Sequence, residues 1–145
     1  MKRKEFDLCM SKNELIETGD KDNALAGGLL SLAVHKQQFW TEANLESKYP
    51  SVYLEGHYEI VKELATAILA IDGWKSLNHE CLFAYLKEKR QDLEIDFDFI
   101  LELKDIRNAI DYRGIQVSKE TWSKNKLKIN LIIKGIQGYL QKRVV

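Results

Sequence analysis

The run VYLEGHYEIVKELATAILAI, residues 52–71, decides the fold class. Tyr58, Val61, Leu64, Ala65, Ile68 and Leu69 recur every three or four positions, the spacing of one face of an α-helix. Asp72-Gly73 supplies the stop, because glycine takes up the left-handed conformation that closes a helix. The same rhythm extends to both sides. A short helix is expected over residues 4–18, halted at Gly19, after which Asp20 can cap a second over 21–47. Pro50 marks the turn that follows. The pair Gly27-Gly28 should cost that second helix roughly 1 kcal/mol per glycine relative to alanine, which close approach of another helix or a local kink would explain. Beyond Gly73, Ser76 or Asn78 can cap a fourth helix running to Leu86, and an acidic loop leads to a fifth over 97–112. A last helix over 119–143 has Leu127, Leu131, Ile132, Ile136, Tyr139 and Leu140 as its core face, widened by Ile129 and Ile133. The pattern reads as all-α: an up-and-down helical bundle of four main helices with additional short ones. It forms one domain over residues 1–145, in which 1–19 precede the bundle.

At 45% apolar content, 145 residues can bury a real core. The 22 basic and 22 acidic side chains cancel, so no whole-molecule field draws the chain to nucleic acid or a membrane. The distribution is less even: residues 88–105 are mostly acidic, whereas Lys119, Lys124, Lys126, Lys128, Lys134, Lys142 and Arg143 face only Glu120. On a helix those cations spread around several faces, as on a solvated surface. No stretch reaches the ~18 apolar residues of a membrane span, and none follows the basic start, so neither secretion nor membrane insertion is expected. Cys9 and Cys81 belong to no Cys-x-x-Cys pair, which argues against a disulfide framework or structural zinc and for a reducing cytoplasm. Cys81 reads as a small core residue.

Chemistry concentrates in LKDIRNAIDYRG, residues 103–114. On a helix Arg107 and Asp111 lie four apart, as do Asn108 and Tyr112, so each pair shares a face, and Gly114 ends the helix. A guanidinium, an amide and a phenol at one helix end suit recognition of a phosphate with its base or ribose. The plainer alternative is a surface ion pair worth about 0.2–0.5 kcal/mol. His35, His57 and His79 fall on different helices in no paired-ligand motif, so no metal is expected. His79 sits in a first helical turn, where Glu80 favours the helix dipole. No cofactor is expected either, since Ala26-Gly27-Gly28-Leu29 lacks the Lys-Ser/Thr of a phosphate loop. Phe39, Trp40, Tyr49, Tyr53 and Tyr58 could stack bases, but with no basic stripe beside them core packing is the expectation.

Three segments together resemble the HEPN domain, the helical-bundle superfamily of prokaryotic toxin, defence and RNA-processing systems and of some eukaryotic proteins. The likeness runs from about Phe6 to Tyr139. FDLCMSKNEL (6–15) is similar to the short helix preceding the bundle in prokaryotic members, and IDGWKSLNHECL (71–82) resembles their middle helix junction. RNAIDY (107–112) falls where the family places an Arg, often Asn next, three variable residues and then the catalytic His. The resemblance implies a homodimer in which two Arg107 side chains share a cleft and hold RNA phosphate without metal. Tyr112 stands where the nuclease branch has His, and Gly114 where some toxin members carry a modifiable tyrosine. A phenol titrating near about 10 is protonated at neutral pH, and a carboxylate near about 4, such as Asp111, is a weak base, whereas imidazole near about 6.5 is poised for general base work. An uncharacterised prokaryotic branch looks to carry the same Asp-Tyr. What the resemblance implies is therefore a weakened or inactive relative of the metal-independent ribonucleases. It would bind RNA or a nucleotide phosphate through Arg107, Asn108, Asp111 and Tyr112. The alternative is an interaction module paired with a nucleotidyltransferase-like partner in a toxin–antitoxin type system.

Overall fold

A computed structural model describes residues 5–144. In chain order it comprises α1 (Phe6–Ser11), β1 (Leu15–Glu17), α2 (Asn23–Ala43), α3 (Pro50–Asp72), β2 (Trp74–Ser76), α4 (His79–Lys89), a 3-10 turn (Gln91–Leu93), α5 (Phe97–Arg113) and α6 (Lys119–Gln141). The fold is mostly helical, and α3 is its axis, packing against α2, α4, α5 and α6. Tyr58, Val61, Leu64, Ala65, Ile68 and Leu69 are all buried, and Gly73 closes the helix in the left-handed conformation at φ +80°. Pro50 is the first residue of α3, where its missing N–H costs nothing. Asn78 caps α4 by accepting from the Cys81 N–H at 2.8 Å, whereas α2 is capped by Asp22 instead of Asp20. Among the described residues no helix is long and apolar enough to cross a membrane.

The N-terminal segment differs from its expected form. Its helix stops at Ser11, Asn13 turns the chain at φ +56°, and residues 15–17 form a strand antiparallel to β2, pairing Leu15 with Ser76 and Glu17 with Trp74. Strands of three residues are too short to show a period in sequence. Folding this ribbon against α4 brings Cys9 and Cys81, 72 residues apart, into a disulfide, which overturns the reading of two unrelated cysteines. Both are fully buried. Separation along the chain carried no information because the ribbon, invisible to helical periodicity, makes the approach.

On α6 the core face is Trp122, Ile129, Ile132, Ile133, Ile136 and Leu140, while Leu127 and Leu131 are 69% and 60% exposed. The face is therefore rotated from the expected one, toward the β-branched residues and Trp122. At Gly27 the crowding comes from Val144, past the end of α6, and not from a neighbouring helix: a Cβ there would lie 3.1 Å from it, and nothing crowds Gly28. The tightest glycine is Gly56 on α3, where a Cβ would fall 2.4 Å from the Trp40 ring of α2. Buried Arg90 bridges the end of α3 to the turn after α4, donating to both oxygens of Asp72 at 3.0 Å and to Asp92 at 3.0 Å. Tyr85 donates its hydroxyl to Asp72 at 2.8 Å, which holds the carboxylate that pairs with Arg90.

Candidate functional site

Arg107 lies on the last two turns of α5, over the exposed edge of α3, and its side chain is 17% exposed. Nε meets Asp111 Oδ2 at 3.0 Å, one turn on, as the four-residue spacing requires. Nη2 donates to Glu59 Oε1 of α3 at 3.3 Å, and Nη1 reaches Asn108 Oδ1 at 3.4 Å. The guanidinium carbon stands 5.5 Å from the centroid of the Tyr58 ring, a cation–π distance. All three nitrogens of the fork thus face acceptors of their own chain. Glu59 also holds Lys62 at 2.8 Å, so the row Asp111, Arg107, Glu59, Lys62 alternates in sign across the α5–α3 contact.

A further carboxyl crowds this row. Burial pushes the Glu55 carboxyl above its usual range, and its hydrogen bond to Asp111 raises it further. The like charge of Asp111 and Glu59 nearby acts in the same direction, and Arg107 opposes it. The surroundings of Arg107 are nonetheless acid-rich, which works against a polyanion.

Of the four candidate residues, Arg107, Asn108 and Asp111 are drawn together. Tyr112 is not: it is 77% exposed and turned away from the guanidinium network. Sequence reading missed Glu55, Tyr58, Glu59 and Lys62, which α3 supplies at helical spacing. Glu55, Glu59 and Lys62 recur at helical spacing beside the apolar stripe of α3, and that polar row was the one available signal. His79 was expected only as a helix-start residue, whereas its Nδ1 lies 3.1 Å from the Tyr58 hydroxyl. Burial lowers the His79 pKa, with Lys62 and Arg107 adding to the effect, and burial raises that of the Tyr58 phenol. The pair is therefore neutral near pH 7.

Elsewhere Cys9, Glu14 and Cys81 bring one potential metal-ligating atom each within 4.8 Å of one another. With both sulfurs in the disulfide, no thiolate is available to ligate. Trp40, Tyr53 and Tyr58 pack in the interior as expected, while Phe39 and Tyr49 stay 61% and 43% exposed. Comparison with protein-family models, curated proteins and solved structures gave no match.

Proposed function

We propose that this chain is a HEPN-like interaction module, catalytically inactive, that works through protein contacts, with a second copy of itself or with a nucleotidyltransferase-like partner. The observation that carries this reading is the acidic setting of Arg107: Glu59, Asp111 and Asn108 each face one nitrogen of its fork, and Glu55 adds a fourth oxygen-bearing neighbour. A phosphate approaching Arg107 would meet the carboxyl groups of Glu55, Glu59 and Asp111 around the N–H groups that remain. Arg107 then serves to lock α5 onto α3. Apolar side chains left open on helix surfaces, Leu32 and Phe39 on α2 and Leu127 and Leu131 on α6, supply contact area of the kind that protein interfaces use. The cytoplasm expected from the sequence rested on unpaired cysteines, and the buried Cys9–Cys81 bond weighs against it, since disulfides persist mainly in oxidising compartments.

The second reading, recognition of RNA or a nucleotide phosphate at a dimer cleft, draws on the pre-organised, half-buried guanidinium with the Asn108 amide beside it. Binding and cleavage of a mixed-sequence RNA in excess chelator, at low salt, separates the two. No binding by the wild type, with Arg107→Ala lowering stability by about 1–3 kcal/mol, is the expected result. RNA binding or cleavage that disappears in Arg107→Ala would overturn the interaction reading. Light scattering of Leu32→Lys with Phe39→Lys, and of Leu127→Lys with Leu131→Lys, then locates any self-association.

A further inference from the structure

Next along α3 from the Arg107 cluster, a cavity of about 650 Å³ opens between the β1–β2 ribbon, the starts of α2 and α4, and α3. That volume falls within the range that accommodates a small molecule. Its floor is apolar: Leu69, Ala70 and Leu82 line it and are at most 4% exposed. Leu25 of α2 and Leu77, just after β2, also line it, yet stay 47% and 58% exposed, so the mouth leaves apolar surface uncovered. Lys21, Lys62, Lys75 and His79 supply the cations and donors of the lining, and Asp20 and Asp22 stand at the α2 rim.

The protonation of His79 follows from its partner. The Tyr58 hydroxyl keeps its proton, and among the described residues its hydrogen-bond partner is His79 Nδ1. A buried hydroxyl with that one partner donates to it, so Nδ1 accepts and the ring proton sits on Nε2. His79 thereby presents a fixed N–H donor beside the cavity, in a neutral ring. Lys75 is exposed and has no acid partner among the described residues, and Lys62 shares only Glu59 with Arg107. Of the acids at the rim, Asp22 spends one oxygen on the Leu25 N–H.

We propose that this cavity binds a small amphipathic anion, its apolar body on Leu69, Ala70 and Leu82 and its carboxylate or phosphate head held by His79, Lys62 and Lys75. The site does not depend on the role given to Arg107. Anilinonaphthalene sulfonate, an anionic aromatic dye, is the probe, titrated into the folded protein and followed by fluorescence. Saturable one-site binding is expected. Thr66→Phe, which fills the cavity from α3, should abolish it. His79→Ala and Lys75→Glu should each weaken it roughly tenfold, the effect of one charge-assisted contact. Lys134→Glu, on the exposed side of α6, should not change it. Octanoate and octyl phosphate, as competitors, tell a carboxylate from a phosphate preference. Displacement by octanol at the same concentration would overturn the anionic class. Absence of dye binding at millimolar concentration, or binding retained in folded Thr66→Phe, would overturn the site. Should Thr66→Phe fail to fold by circular dichroism, amide shifts of the wild type on dye addition decide: changes confined to residues 18–25 and 62–82 support the site, and changes elsewhere overturn it.

Discussion

His57 and His79 make the same kind of contact with opposite polarity. Both are pushed below the ordinary histidine range, burial being the largest cause for each. His57 Nδ1 donates to the Tyr53 carbonyl at 2.8 Å, and its ring lies among Trp122 at 4.8 Å, Tyr53 at 6.1 Å and Trp40 at 6.3 Å. His79 Nδ1 accepts from a phenol, and its ring borders a cavity. One imidazole is a packing element inside an aromatic cage, and the other is a polar group at an opening. A lowered pKa alone does not tell the two apart; what surrounds the ring does.

The cage side should respond most strongly to mutation. Trp122→Ala removes the indole that packs on Tyr53 and His57 and donates to Glu46 at 2.8 Å, so a loss of about 3–5 kcal/mol in denaturant unfolding is expected. His79→Ala on the open side removes one hydrogen bond, and its cost should not exceed about 1 kcal/mol. Equal losses would erase the distinction between cage and opening. Reduction of the Cys9–Cys81 bond comes next. In the chain-entropy view, opening a loop of this length costs about 4 kcal/mol, read as a lower melting midpoint with reductant. Because the bond ties α1 to α4 and β1 pairs with β2, which lines the opening and not the cage, amide exchange should quicken first over residues 6–18 and 74–81. Exchange that quickens first around His57 would contradict this placing.

Acid titration sharpens the comparison. The unfolded chain binds a proton on each histidine near the ordinary value of about 6.5, and the folded chain only below it. The unfolded state therefore holds more protons in the window between the folded and unfolded values. Stability is complete above that window and falls as pH drops through it. Glu55, raised in the fold, acts in the opposite direction at lower pH, its protonation being favoured by the native state. Around His57, Glu46 opposes and Lys126 supports the lowered value, so burial among the aromatic rings decides its sign. His57→Gln retains an N–H donor for the Tyr53 carbonyl and should flatten the acid loss seen in urea midpoints. An unchanged pH profile in that variant would show that His57 does not drive it.

Much of this architecture was legible because helices announce themselves by period and by end signals. The stripe of α3, the stop at Gly73, the cap at Asn78 and the bounds of α5 all follow from local chemistry. The ribbon was not legible, and with it went the Cys9–Cys81 approach, since three-residue strands have no detectable rhythm and their pairing is non-local. On α6 the apolar residues cover too wide an arc for sequence to orient, and packing against α3 chose Trp122 and Ile129 over Leu127 and Leu131. At the site, the four-residue spacing did bring Arg107 to Asp111. The partners that give the cluster its character, Glu55, Tyr58 and Glu59, come from 48 or more residues away and carry no motif.

The smallest expected effect belongs to Tyr112, and it tests the site most directly. Grouping Asn108 with Tyr112 by their spacing of four is correct along the helix, yet a shared face does not bring a side chain into the network unless a neighbouring element meets it there. α3 meets Arg107 and leaves Tyr112 to solvent, at 77% exposure. Tyr112→Phe should therefore change stability by no more than about 0.5 kcal/mol and leave any self-association untouched, whereas Asp111→Asn, which removes the charge held by Arg107 Nε, should lower stability measurably. A Tyr112→Phe variant that loses association while Asp111→Asn keeps it would move the functional surface off the α3–α5 contact and onto the solvent side of the α5 end.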